Sequence, residues 1–279
     1  MYDLSGKVAV VTGAGGRRGM GRAIATRLAR EGADVVVTDI MKPPHPDDAD
    51  HDWHGIDSVV AEIQAMGRRA IGLYSDITDA SQVREMVERA VNNLGKIDIF
   101  VANAGSQPGG DRALLIDVEE DAFDLVQRVN VKGTFLCLRE VCRHMVARGG
   151  PGKIITISSR AGKQGTARYA TYCASKFAII GMTESLALEM APYKVNVNAI
   201  CPGLVDTERV YYIADALRPE DMSADAYRQS MLEDRARIIP LGRAAVADDI
   251  ANTAAFLASD QSDYLTGLSI SVSGGNGMT

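Results

Sequence analysis

The sequence predicts an α/β fold, a parallel sheet covered by helices on both faces. Two observations carry this. Strand-like and helix-like stretches alternate from end to end, and βαβα alternation favours parallel strands joined by crossover helices. The strand stretches also include continuous β-branched runs such as ADVVVTD at 33–39, as for strands buried on both faces. The first strand is expected over 7–12, ending in Thr-Gly. A helix over 21–31 sets Ile24 and Leu28 on one face. The second strand follows at 33–39. A helix at 55–66 precedes a strand at 69–74, and a helix at 81–93 precedes a strand at 97–102. A long helical stretch spans 119–147, with Val126, Val129, Phe135 and Leu138 among its apolar positions. Then come a strand at 153–158, a helix at 170–190, a strand at 195–200, a helix at 247–258 and a strand at 269–272.

No Pro/Gly/Ser linker, internal repeat or low-complexity run divides the 279 residues, so one domain over 1–279 is expected. Two stretches read as long loops, 40–55 and 205–240. Long ordered loops in a compact domain are usually functional or mobile. The formal charge of −6 argues against a nucleic-acid or acidic-membrane partner. No apolar run is long enough to span a bilayer. The N-terminus runs straight into a strand without a signal-peptide pattern, so a cytoplasmic protein is expected. Cys137, Cys142, Cys173 and Cys201 form no C-x-x-C pair and are expected as buried free thiols.

The chemistry concentrates in 152–187. Tyr172 and Lys176 are four apart at the start of a helical pattern and share a face. A phenol titrates near ~10 and moves protons poorly at neutral pH; a neighbouring ammonium favours the phenolate and brings it toward the working range. Ser159 can donate a hydrogen bond to a substrate oxygen held at the tyrosine. Together they describe a device that moves a proton on and off an alcohol or carbonyl oxygen. Upstream, TGAGGRRGMG at 12–21 follows a strand and opens a helix. Glycines there let backbone N–H groups approach phosphate, and the helix N-terminus favours its charge. Asp39 ends the second strand, where a carboxylate accepts both ribose hydroxyls and repels the extra phosphate of NADP. Ile40 supplies no compensating cation, whereas Arg17 and Arg18 pull toward NADP. NAD is the expected cofactor.

These residues resemble the short-chain dehydrogenase/reductase family over 5–277. The matching pieces are TG…GMG at 12–21, Asp39, Asp76-Ile77, NAG at 103–105, Asn130 in VNVKGTF, Ser159, YCASK at 172–176 and CPGLVDT at 201–207. The resemblance implies a doubly wound (Rossmann) sheet and reversible oxidation of a secondary alcohol to a ketone. Tyr172 would be the general acid/base, Lys176 would lower its pKa and hold the nicotinamide ribose, Ser159 would position the substrate oxygen, and Asn130 would hold a relay water. The cofactor would meet Gly13, Gly15, Arg18, Gly19, Met20 and Gly21 in the turn, and Asp39 and Ile40 beyond it. Asp76 and Ile77 would contact adenine, and Asn103, Ala104 and Gly105 would pass beneath the cofactor. Pro202, Gly203, Val205 and Thr207 would face the nicotinamide. A homotetramer or homodimer pairing through the two long helices is implied as well.

Three departures stand out. The glycine turn is two residues longer than TG-x-x-x-G-x-G. The 40–55 loop is similar to an insertion in the carveol-dehydrogenase-like branch, whose glycine turn this chain does not follow. The last strand ends VSGG, where many relatives carry an acid. Tyr169, Thr166, Gln107 and Leu204, beside the catalytic motifs, are expected to line the substrate pocket. Tyr211 and Tyr212 are expected to open a lid that excludes water from a sugar-like or cyclic alcohol. Arg160, Lys163 and Arg168 read either as attractors of an anionic substrate or as solvated loop cations. His45, His51 and His54 lie among acids without a fixed ligand spacing, so no metal is expected. The rival readings are a non-catalytic dinucleotide-binding regulator, an NADP-dependent ketoreductase and an S-adenosylmethionine methyltransferase.

Overall fold

Strand β1 (Val8–Thr12) is buried at every position, and its side chains alternate between two cores. Ala9 and Val11 join one cluster, Val8 and Val10 the other. The same division holds for Val35 and Val37 against Val36 in β2 (Asp34–Asp39), and for Ile99 and Val101 against Phe100 in β4 (Ile99–Ala102). Apolar side chains on both faces force a helical layer onto each side of the sheet. The computed structural model describes residues 2–40 and 52–277.

The remaining strands are β3 (Ala70–Tyr74), β5 (Gly152–Ile157), β6 (Val195–Pro202) and β7 (Ser269–Val272). All pairings are parallel, in the order β3-β2-β1-β4-β5-β6-β7. The order reverses between β1 and β4, which is where such sheets open a crevice at their carboxyl ends. One layer holds α1 (Met20–Arg30), α2 (Ile56–Ala65) and α9 (Ala247–Ala258), through Ile24, Leu28, Ile63 and Leu257. The other holds α3 (Ala80–Leu94), α5 (Thr134–Arg148) and α6 (Ala170–Met190), through Met86, Val141, Met145 and Met190. No helix among the described residues is long and apolar enough to cross a membrane.

Two stretches depart from expectation. The helix expected over 119–147 is α4 (Glu120–Val126), a π-helical turn (Gln127–Gly133) and α5 in series. Residues 205–240, expected as a loop, carry α7 (Glu208–Leu217) and α8 (Ala224–Ile238). Ser223 starts α8 as its cap, accepting from Ala226 N at 3.2 Å. Of the 40–55 stretch, 41–51 lie outside the described residues, including His45 and His51. His54 pairs with Asp52 at 2.9 Å, both exposed.

Candidate active site

The glycine turn is braced from β4. Asn103 Nδ2 donates to Thr12 O and Gly13 O, each at 2.9 Å, and Thr12 Oγ1 accepts from Asn103 N and Ala104 N at 3.1 Å. Gly13 has φ +66°, and a Cβ there would lie 2.7 Å from Ala104 Cα, so glycine is required. The far side of the turn is held by Asp39, whose Oδ2 accepts from Gly15 N and Oδ1 from Ile40 N, both at 2.8 Å. A carboxylate has further lone pairs for ribose hydroxyls.

Helix α1 opens with Gly19 as its cap, no capping side chain and no acid in its first turn. Its first N–H groups therefore lack helical partners and attract an anion. A stand-in is present: the Glu208 carboxylate accepts from Arg18 N at 2.7 Å, and its other oxygen lies against Gly16. The turn thus receives negative charge as a pyrophosphate site must. Trp53, which sequence reasoning passed over, donates from Nε1 to Gly15 O at 2.8 Å and carries the Arg22 guanidinium 5.2 Å above its ring. Asp76 and Ile77 follow β3; Asp76 Oδ1 accepts from Thr78 N at 2.8 Å, and Ile77 packs on Gly133 in the π turn.

Ser159 leaves the end of β5, and Tyr172 and Lys176 come from the first turns of α6. Their elements are locked together: Lys176 Nζ donates to Ile157 O and Ser158 Oγ to Lys176 O, both at 2.8 Å. Lys176 Nζ stands 5.6 Å from the Tyr172 ring centre. Burial opposes ionisation of Tyr172, but Lys176, Arg209 and Arg112, with a hydrogen bond from Ser159, outweigh it and lower the phenol's pKa. Burial also lowers Lys176, with Arg209 adding to it and the Tyr172 phenolate opposing.

Asn130 is fully buried. Its Oδ1 accepts from Ser106 N at 2.8 Å and its Nδ2 donates to Ser175 Oγ at 3.0 Å. Ser175 Oγ in turn donates to Tyr172 O at 2.7 Å. In this structure Asn130 therefore braces the helix that carries the tyrosine.

A cavity opens above Tyr172 at the carboxyl edge of the sheet. Tyr169, Thr166 and Leu204 line it with Ser159, and Pro202, Gly203, Val205, Thr207 and Met20 line it as well. Gln107, between the buried Ser106 and Pro108, is exposed and stands outside this lining. Of the three cations expected near the pocket, Arg160 lines it. Lys163 turns away to Ser269 O and Ser271 Oγ, and Arg168 is exposed.

Sequence reasoning missed Arg112, Arg209 and Arg235, all in the wall. Arg112 is 2% exposed, ion-paired with Asp111, and sandwiched 4.3 Å from the Tyr169 ring centre and 4.5 Å from that of Tyr172. Arg209 lies 5.3 Å from the Tyr172 ring centre and donates to Ser106 O at 2.6 Å. An amphipathic reading of ERVYYIADAL would have found the helix that presents Arg209.

An anion-receiving turn and an ionisable tyrosine on one sheet edge define an oxidoreductase that works with a dinucleotide. The family model described as enoyl-(acyl carrier protein) reductase matches residues 13–277. The cyclohexanol dehydrogenase of Rhodococcus sp. (strain TK6) is 39% identical over 278 residues, covering 98% of this chain and 96% of that protein. The 2-dehydro-3-deoxy-D-gluconate 5-dehydrogenase of Dickeya dadantii (strain 3937) is 36% identical over 274 residues, covering 98% and 96%. A crystal structure of carveol dehydrogenase from Mycobacterium avium in complex with NAD superposes with a TM-score of 0.84 at 30% identity, covering 99% of each chain. The chain belongs to the short-chain dehydrogenase/reductase family and is an oxidoreductase of CH–OH groups.

Proposed function

We propose that this protein interconverts a secondary alcohol and a ketone with NAD. The observation that carries the reading is Tyr172 at the floor of the cavity, hydrogen-bonded to Ser159 and surrounded by Lys176, Arg209 and Arg112. Cations favour the phenolate that takes the hydroxyl proton during oxidation and returns it during reduction. Ser159 fixes the substrate oxygen beside it. Lys176 holds the phenolate form and the nicotinamide ribose, and Asn130 keeps a water behind it. Hydride transfer is the chemistry that NAD would supply when bound there.

Asp39 supports NAD over NADP, because a carboxylate at the end of β2 repels a 2′-phosphate. The turn from Gly13 to Gly21 holds the pyrophosphate, Asp76 and Ile77 meet the adenine, residues 103–105 run beneath, and 202–207 face the nicotinamide. The chain is read as one domain, with 205–240 as its substrate segment and Tyr211 and Tyr212 on its first helix. Phe135 and Val146 on α5 and Phe177 and Leu188 on α6 are exposed apolar side chains, which supports pairing of copies through these helices. The four cysteines are buried and unpaired, which supports a reducing, cytoplasmic setting.

The test is NADH formation on a panel of secondary alcohols by native protein and Tyr172→Phe. The variant should lose turnover by about 10²–10⁴-fold while NADH binding persists. Normal turnover in the variant would overturn the assignment.

A further inference from the structure

The wall of the cavity is charged in one sense. Arg112, Arg160, Arg209 and Arg235 line it, and among the described residues no aspartate or glutamate does, in a chain whose formal charge is −6. One of these cations is satisfied by protein: Arg112 is neutralised by Asp111 and stacked between two tyrosines. Arg160 spends one nitrogen on the neutral Gln164 Oε1 at 3.2 Å. Arg209 spends one nitrogen on Ser106 O and has no carboxylate partner among the described residues.

Arg235, half-buried on α8, makes no side-chain hydrogen bond or ion pair among the described residues. Its neighbours on the same helix differ: Arg228 pairs with Asp206 and Arg237 with Asp234. A guanidinium that faces a cavity and has no protein partner is free to receive a ligand's carboxylate. Planar guanidinium groups match carboxylates in bidentate geometry.

We infer that the substrate is a hydroxy- or oxo-carboxylate whose acid group is held by Arg235 and Arg209 while its alcohol or ketone oxygen lies at Ser159 and Tyr172. This rests on the alcohol–ketone reading above and narrows it to anionic substrates. Arg235 lines the same cavity as Tyr169, Ser159 and Tyr172, so it is placed to read the acid. Arg209 lines the same cavity and lies 5.3 Å from the Tyr172 ring centre.

The experiment compares kcat/KM, with NAD, for an aldonic acid and the alditol of the same chain length. In parallel, calorimetry on the protein–NADH complex follows binding of a deoxy acid that lacks the oxidisable hydroxyl. The expected result is a preference for the acid of at least a hundredfold. In Arg235→Gln that preference should fall at least tenfold, and deoxy-acid affinity should fall with it, at an unchanged melting temperature. Oxidation of the alditol as readily as the acid would overturn the anion site and leave the oxidoreductase reading standing. Deoxy-acid binding that depends on Arg235, without turnover of any alcohol, would keep the anion site and overturn the oxidoreductase reading. An acid preference unmoved in Arg235→Gln would remove Arg235 from the site.

Discussion

Gly21 is the position where α1 comes closest to the turn that precedes it. A Cβ built there falls 2.7 Å from Asn103 Nδ2 and 2.8 Å from Ala14 Cα, and inside hydrogen-bonding distance of Gly13 O. Unstrained contacts between heavy atoms of this kind need about 3.5 Å, so in Gly21→Ala the helix must retreat by roughly 1 Å. Overpacking of this kind costs about 1–3 kcal/mol. The retreat also pulls at the two Asn103 bonds to Thr12 O and Gly13 O, worth about 1 kcal/mol each. The sum is about 3–5 kcal/mol, which for a domain of this size lowers the melting temperature by about 6–20 °C. Because the same movement opens the turn, NADH affinity should fall more than tenfold. Gly165→Ala is the control, since a Cβ there meets nothing within 4 Å; its stability should change by less than about 0.5 kcal/mol. Scanning calorimetry and NADH fluorescence titration read both quantities. Equal melting of the two variants would refute the packing argument, and a destabilised Gly21→Ala with unchanged NADH affinity would refute its link to the cofactor.

Other consequences can be checked separately. Arg209→Gln removes one of the cations that lower the Tyr172 pKa; the basic form then needs a higher pH, so the pH profile of alcohol oxidation should move upward, and an unmoved profile would remove Arg209 from that role. Asp79 accepts from the Ser81 hydroxyl and caps α3 through Ser81 N and Gln82 N, bonds that hold its carboxyl down to about 2 from an ordinary 3.8. A depressed pKa stabilises the fold above pH 3.8 and ceases to as pH falls through 2. Native protein and Asp79→Ala should therefore melt apart at neutral pH and converge in acid; a gap that persists in acid would contradict the capping argument. Glu208→Ala takes the competing carboxylate from Arg18 N and should tighten NADH binding severalfold, whereas weaker binding would show that Glu208 supports the cofactor.

The sheet was legible because strands buried on both faces show it in their composition. β1 and β2 read as runs such as VAVVT and DVVVTD, and α6 and α9 span the stretches expected for them. α8 was illegible for the converse reason. Among its residues only Ala224 is buried, so there is no apolar stripe to find. At the active site, Ser159, Tyr172 and Lys176 were legible because one helix and one strand end place them within seventeen residues of each other. Arg112 was not, since an Asp-Arg pair reads as surface charge until two tyrosines from a distant helix close over it. Glu208 was hidden too, because what it touches lies at the other end of the chain.

The π-helical turn at Gln127–Gly133 sets the phase of everything after it. Each α-helical residue advances the side-chain direction by about 100°, and a π turn takes in extra backbone without completing another α turn. Asn130 can therefore face Ser106 and Ser175 while α5 directs Leu136, Val141 and Met145 to the core and Phe135 and Val146 outward. Deleting a single residue within α5 itself, beyond the turn that absorbs the extra backbone, would rotate the rest of the helix by about 100°. Its core stripe would then point toward solvent. Deleting a whole turn of three or four residues would nearly keep the angle and spare the core. Tolerance to length change in this helix is therefore quantised: the sheet-facing stripe admits whole turns and rejects single residues.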